Sequence, residues 1–145
     1  MAVRAIRGWW LPIVLAIAMV LYQANRIEWV QRAMGDAFPV VTGLVITSAE
    51  PTIVDGANGV MLAGDANKLR NCTYQGLVWY LGGAYGVPIT ARFLDRPAVN
   101  GIGHLSWQAI VVGITPDRLF ETYGEVIHSC LGVIVRTPFY VGQGA

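Results

Sequence analysis

The chain has little charge, since aspartate, glutamate, lysine and arginine make up only 13% of its 145 residues. Ten basic residues stand against nine acidic ones, for a formal net charge of +1, and Lys68 is the only lysine. A near-neutral chain lacks the positive surface that holds nucleic acid, which excludes nucleic acid as a partner. Because low surface charge favours association, we expect another protein to cover part of the surface.

Cysteine and histidine are also scarce, with two of each. In an oxidising compartment, Cys72 and Cys130 are most simply a disulfide, whose 58-residue loop would constrain the unfolded chain by about 4 kcal/mol. The alternatives are two buried free thiols in a cytoplasmic domain, or a zinc site that adds the weak candidates His104 and His128. No acidic pair or thiol–histidine pair has a supporting catalytic pattern, so we predict no catalytic residue and no cofactor.

One run of the chain has no charge at all, from residue 8 to residue 25, between Arg7 and Arg26. As a helix it would cover about 27 Å, close to the hydrocarbon thickness of a bilayer. Aromatic rings prefer the headgroup level, and proline is tolerated in a first helical turn. We therefore predict a transmembrane helix over 8–25 behind a cytoplasmic tail, 1–7, with these anchor residues: Trp9, Trp10, Pro12 and Tyr22.

Two other interpretations of this run stay open: a cleaved secretory signal and a buried helix of a soluble protein. Orientation is weakly specified, because Arg4 and Arg7 precede the run while Arg26 and Arg32 follow it. This balance slightly favours a cytoplasmic N-terminus, and a disulfide favours the same side. We expect a single-pass protein of the inner membrane with its remaining chain in the periplasm or outside the cell.

Residues 26–38 keep a helical pattern, in which Ile27, Val30 and Met34 recur on one face before Pro39. We predict an amphipathic stalk helix that continues the membrane helix. The stalk would either lie on the lipid headgroups or pack on a partner or on a second copy, so these three apolar residues are candidate partner contacts.

From residue 39 to residue 145 the chain alternates short β-prone runs with turn residues. We predict turns at Asp55-Gly56, Gly64-Asp65 and Gly82-Gly83, and a short helix at Pro116–Tyr123. The predicted strands are Val40–Thr47, Gly59–Ala63, Leu69–Thr73, Leu77–Leu81, Ile89–Phe93, Leu105–Val112, Gly124–Cys130 and Val133–Tyr140.

The spacing of Cys72, Trp79 and Cys130 over these strands resembles the immunoglobulin-like fold. The resemblance implies a mainly β sandwich of about seven strands, with a disulfide between its sheets and a tryptophan packed on the bridge. Trp79 follows Cys72 sooner than that pattern has it, and His128 stands where a tyrosine is usual. A fibronectin-type or other Greek-key sandwich fits as well.

The last strand contains Pro138, which cannot donate a hydrogen bond inside a sheet and therefore predicts a sheet edge. An edge that carries aromatic residues is suited to docking another subunit. We predict partner contacts at Arg136, Phe139 and Tyr140.

Together these patterns predict a non-enzymatic, membrane-anchored accessory or structural subunit, whose partners are the lipid bilayer and a larger protein assembly or its own copies. A small, arginine-rich chain also fits a phage virion or envelope protein used in lysis or entry. The remaining alternative is a zinc- or thiol-dependent periplasmic enzyme.

Overall fold

The computed structural model describes residues 10–95 and 101–144. Short runs of β-branched and aromatic residues form most of it, behind two helices. In chain order, the elements are α1 (Trp10–Ala24), α2 (Glu28–Ala37), β1 (Val41–Val54), β2 (Ala57–Lys68), β3 (Thr73–Leu81), β4 (Val87–Ile89), β5 (Ala91–Phe93), β6 (Gly103–Val112), a 3-10 helix (Pro116–Glu121), β7 (Thr122–Cys130) and β8 (Val133–Val141).

The strands form two antiparallel four-stranded sheets that pack face to face. We call the sheet ordered β4-β3-β7-β8 the helix-side sheet and the sheet ordered β1-β2-β6-β5 the outer sheet. Aromatic rings from both sheets pack together between them. The ring centroid of Phe139 lies 4.7 Å from that of Trp107 and 5.5 Å from that of Phe93. The predicted β-sandwich is therefore confirmed at this level of description.

One predicted strand and one predicted turn are wrong, and β1 and β2 are longer than predicted. Leu69–Thr73 is the connection into β3 rather than a strand, and only Thr73 pairs. The predicted turn at Gly64-Asp65 lies inside β2, which continues to Lys68. A Cβ on Gly64 would stand 2.1 Å from the carbonyl oxygen of Val45 on β1 and 2.7 Å from the ring of Trp107, so this glycine allows close packing of strand and indole instead of turning the chain.

The predicted strand Ile89–Phe93 is divided at Thr90 into β4 and β5, which belong to different sheets. Seven of the predicted strands remain without Leu69–Thr73, and this division gives eight strands in the described residues. The chain crosses from one sheet to the other within a single residue, so its hydrophobic pattern does not reveal the break. The predicted helix Pro116–Tyr123 is shorter, a 3-10 helix that ends at Glu121.

The disulfide between Cys72 and Cys130 is present, as predicted. Cys72 directly precedes β3 and Cys130 ends β7, and these two strands are neighbours in the helix-side sheet. Pairing of Thr73 with Ser129 brings the two Cα atoms to 4.7 Å. The bridge therefore lies within one sheet, and the inter-sheet bridge that the immunoglobulin resemblance implied is wrong.

Helix α1 contains no charged residue, and none of its residues is buried within the described part of the chain. Within the described residues no single helix is both long and apolar enough to cross a membrane. Helices α1 and α2 together meet that length and composition, but they are bent by 88° at their junction. Trp10, Pro12 and Tyr22 lie in α1, whereas Trp9 and the tail 1–7 fall outside the described residues.

Candidate functional site

Helix α2 lies on the outward face of the helix-side sheet, mainly over β8. Gly35 marks the closest approach: a Cβ at this position would stand 1.8 Å from the carbonyl oxygen of Arg136. Only glycine allows the helix backbone to lie directly on the strand backbone there. The helix predicted as a free stalk therefore packs on its own β domain.

Replacing Gly35 with alanine is expected to destabilise the domain by about 1–3 kcal/mol, because the new methyl group must push α2 away from β8. Urea unfolding of the full chain in detergent micelles measures this loss. Gly76→Ala on β3 is the matched control, since a Cβ there meets nothing within 4 Å. Equal stability of the two variants would contradict the close packing of α2.

The charged centre of the helix–sheet interface is Glu125 on β7, whose side chain is 0% exposed. Arg32 of α2 donates a hydrogen bond to each of its oxygens, from Nε to Oε1 at 2.5 Å and from Nη2 to Oε2 at 3.2 Å. Arg136 of β8 donates from Nη1 to Oε2 at 3.3 Å, and the Tyr123 hydroxyl donates to Oε1 at 3.3 Å. Glu125 thus joins a helix to two strands through one buried carboxylate.

Further contacts complete this group, which we call the buried ion cluster. Arg136 donates to the side-chain oxygen of Gln31 at 2.8 Å, to the hydroxyl of Tyr80 at 3.1 Å and to Glu28 at 3.0 Å. Arg32 also contacts Glu28, at 3.8 Å. Two arginines therefore face two carboxylates, which balances the charge that burial would otherwise make costly.

The pKa values of the cluster reflect this pairing. Burial alone would lower the pKa of Arg32, but its hydrogen bond to Glu125 and the charge of that carboxylate raise it above the ordinary value. Burial, and secondarily the charge of Glu125, raises the pKa of Tyr123. Both groups keep one protonation state at neutral pH, and Glu125 has no contact with solvent. The cluster is therefore suited to positioning α2 rather than to transferring protons.

A second link fixes the junction between α1 and α2. The Asn25 side chain donates from Nδ2 to the carbonyl of Gly132 at 3.1 Å and accepts from the amide of Ile134 at 2.8 Å. Gln31 donates to the carbonyl of Asn25 at 2.7 Å. The end of α1 is thus held at the β7–β8 hairpin, so the direction of α1 is coupled to that of the β domain.

The predicted partner residues of the stalk lie in different surroundings. Ile27 is exposed, Val30 is half-buried, and Met34 is half-buried against the hydrophobic core. On the opposite side of α2, Trp29 is exposed. Of the three predicted contacts, Ile27 therefore offers the most surface to a partner.

The predicted docking strand, β8, does lie at an edge of its sheet. Arg136 belongs to the buried ion cluster, and Tyr140 is half-buried with its ring stacked 5.4 Å from that of Trp79. Phe139 is only 4% exposed, so the prediction that it faces a partner needs correction. Phe139 falls in a bulge opposite the step from Gly124 to Glu125, and its ring fills the core between the sheets.

Beside β8 runs an open groove of about 590 Å³. It lies where β1 and β8 approach each other at one side of the sandwich, and most of its lining is apolar. We call it the β1–β8 groove, and it is lined by Leu44, Ile46, Leu119, Pro138, Phe139, Tyr140 and Val141. The predicted aromatic residues thus line a groove even though Phe139 is largely covered.

The two histidines do not meet. His104 on β6 is exposed and lies 3.3 Å from Asp65, whereas His128 on β7 is buried. A zinc site with cysteine ligands or a thiol nucleophile needs a free sulfur, whereas the sulfurs of Cys72 and Cys130 are bonded to each other. Within residues 10–95 and 101–144, no three His, Cys, Asp or Glu side chains are grouped to hold a metal ion.

Burial, together with the charge of Lys68, lowers the pKa of His128 from 6.5 to about 4. The folded state therefore binds this proton less readily than the unfolded state. Neutral His128 makes its full contribution to the free energy of unfolding above about pH 6.5. About 3 kcal/mol of that free energy is lost as the pH falls towards 4.

Urea unfolding between pH 7.5 and pH 4 is expected to be less pH-dependent in His128→Gln than in the unmodified chain. His104→Gln is the control, because it removes an exposed histidine and leaves the buried His128 in place. Identical pH dependence of all three proteins would contradict a buried, neutral His128.

Sequence reasoning did not find Glu125, Gly35 or Asn25. The sequence signal for Glu125 is a single charged carboxylate inside a predicted strand, and Gly35 is equally typical of a weak point in a helix. No protein-family model, curated protein or solved structure matches this chain. We therefore base the functional proposal on the contacts described above.

Proposed function

We propose that this chain is a non-enzymatic, single-pass membrane-anchored subunit whose β-sandwich binds a larger assembly or a second copy. The observation that carries the proposal is α1, an uncharged helix with no residue buried against the described residues of its own chain. Such a continuous apolar surface is unfavourable in water and marks a membrane or protein contact. The aromatic residues Trp10 and Tyr22 favour the membrane.

The proposed location is the inner membrane, with the β domain in the periplasm or outside the cell. The disulfide supports this side, because such bonds form and persist in oxidising compartments. Tyr22 and Arg26 fit the outer headgroup level, since the Arg26 guanidinium donates to the Tyr22 hydroxyl at 2.7 Å at the end of α1.

The role of the α1–α2 corner in this proposal is to hold the domain in one orientation on the bilayer. Asn25 and the buried ion cluster attach the corner to the sandwich at two places, so the domain cannot swing on a free stalk. A fixed orientation would present the same surface to every partner in the membrane plane.

The proposed partner surface is the β1–β8 groove, because it combines an edge strand with an apolar lining. An immunoglobulin-like classification of the sandwich is also a proposal: the two cysteines and the buried Trp79 support it, and the bridge within one sheet counts against it.

The test of partner binding is extraction of a tagged full chain in mild detergent, followed by mass spectrometry of the proteins recovered with it. Val141→Glu places a charge in the groove, and Val87→Glu places one on β4, the opposite edge of the same sheet. Both valines are exposed, so neither change disturbs the core.

We expect stoichiometric recovery of a larger complex with the unmodified chain and with Val87→Glu, and its loss with Val141→Glu. Recovery of the monomer alone from all three would contradict the subunit role. Equal recovery with both variants would place the contact outside the groove.

A further inference from the structure

The turn between β7 and β8 presents the most exposed apolar side chain of the described residues, Leu131, at 106% relative exposure. Cys130 pairs with Val133, so Leu131 and Gly132 form a two-residue turn with φ values of 53° and 83°. At this exposure, the leucine buries no surface on the described residues.

Leucine is a poor residue for this position. A two-residue hairpin turn with positive φ at both central residues favours Asn-Gly or Asp-Gly, because a bulky side chain is strained in the left-handed region. The same chain uses the favourable pair in its other two-residue hairpin, Asp55-Gly56, where φ is 51° and 79°. Leucine is therefore unfavourable here for two reasons, the left-handed backbone conformation and the exposure of an apolar side chain to solvent. Together they indicate an apolar contact outside the chain.

The position of the turn indicates which contact this is. Asn25, directly after α1, is hydrogen-bonded to Gly132, the second residue of the turn, and to Ile134, near the start of β8. Leu131 is thus held next to the end of the uncharged helix. Two more apolar side chains near this junction, Ile27 and Val133, are also exposed.

We propose that Leu131 inserts into the boundary between headgroups and acyl chains of the same bilayer that holds α1. The inference rests on the proposed membrane anchor and adds a second attachment point to it. Asn25 is the positioning residue that keeps both points at one level. Two points of insertion restrict the tilt of the β domain, whereas a single helix would leave that tilt open.

The experiment measures depth in the bilayer at three positions of the full chain. A fluorescent amino acid is encoded at the position of Leu131, at that of Asp55 or at that of Val14, and each protein is reconstituted in phosphatidylcholine–phosphatidylglycerol vesicles. Lipids brominated near the top of their acyl chains quench probes at that depth. Asp55 is the matched control, as the first residue of the other two-residue turn, and Val14 reports on α1.

An encoded probe leaves Cys72 and Cys130 untouched, whereas a new cysteine beside Cys130 would compete for the disulfide. Absence of alkylation without reductant shows that each labelled protein keeps its disulfide. We expect quenching at the positions of Leu131 and Val14 and none at that of Asp55, which supports the inference.

Quenching at the position of Val14 but not of Leu131 would overturn the second attachment and leave the anchor standing. Absence of quenching at both would overturn the anchor and the inference together. Equal quenching at the positions of Leu131 and Asp55 would also overturn it, since the contact would then not be specific to this turn.

Discussion

Replacement of Glu125 by alanine is expected to lower the free energy of unfolding by about 3–5 kcal/mol, because it leaves the buried Arg32 with only the more distant carboxylate of Glu28, at 3.8 Å. Arg32 is only 8% exposed and donates two hydrogen bonds to this carboxylate. The free energy of unfolding of a domain of this size is about 5–15 kcal/mol, so the variant loses a large part of its stability.

Urea unfolding in detergent micelles measures this change, and hydrogen exchange of the α2 amides localises it. We expect those amides to exchange faster, because Glu125 is the anchor that joins α2 to the sheet. Glu121→Ala is the control: its carboxylate also pairs with an arginine, Arg118, but both side chains are well exposed. Exposed pairs contribute only about 0–1 kcal/mol.

A loss of stability equal to that of Glu121→Ala would show that the buried ion cluster does not hold the helix. The companion variant Arg32→Met separates charge from packing, since it removes the cation while keeping an apolar stem over Tyr80 and Tyr85. We expect it to destabilise as well, because Glu125 would keep only Arg136 as a charged partner.

Loss of the disulfide has the second large expected effect. The double change of Cys72→Ala and Cys130→Ala opens a loop of 58 residues and is expected to cost about 4 kcal/mol through the entropy of the unfolded chain. The folded contacts should change little, because Thr73 and Ser129 still pair beside the lost bridge.

Urea unfolding of the double variant against the unmodified, oxidised chain measures this cost. Reduction of the unmodified chain is the internal control, since it should produce a similar loss without any substitution. An unchanged midpoint in both cases would contradict a stabilising bridge. A loss in the variant alone would point to packing of the sulfur atoms instead.

Local features of the fold were predictable from sequence where the signal is confined to neighbouring residues. The pair Asp55-Gly56 predicts a turn by itself, and the uncharged run before Arg26 predicts an apolar helix. The residue pattern also separated β7 from β8 at Leu131-Gly132, although a leucine gave no sign of a left-handed turn. The disulfide followed from there being only two cysteines.

Features that depend on distant residues were not predictable. Arg32 and Glu125 are 93 positions apart, and only the packing of α2 on the sheet brings them together. The burial of Phe139 depends on a bulge in β8 that a strict alternation of residues does not contain. Gly64 resembled a turn residue because the close approach of the Val45 backbone and the Trp107 ring is visible only in three dimensions.

The central claim is that α1 anchors the chain in a bilayer and that the β domain lies on the oxidising side. Vesicle flotation after alkaline extraction, applied to membranes of expressing cells, tests it most directly. The comparison is with the double variant Leu15→Arg and Ala18→Arg, because each arginine at the centre of a spanning helix costs about 3 kcal/mol. The disulfide, trapped by alkylation, reports the compartment in the same sample.

We expect the unmodified chain to float with the vesicles and to carry an oxidised disulfide. The double-arginine variant should stay in the extracted fraction with reduced cysteines. Release of the unmodified chain by alkaline extraction, or flotation of both proteins alike, would contradict a membrane anchor in α1.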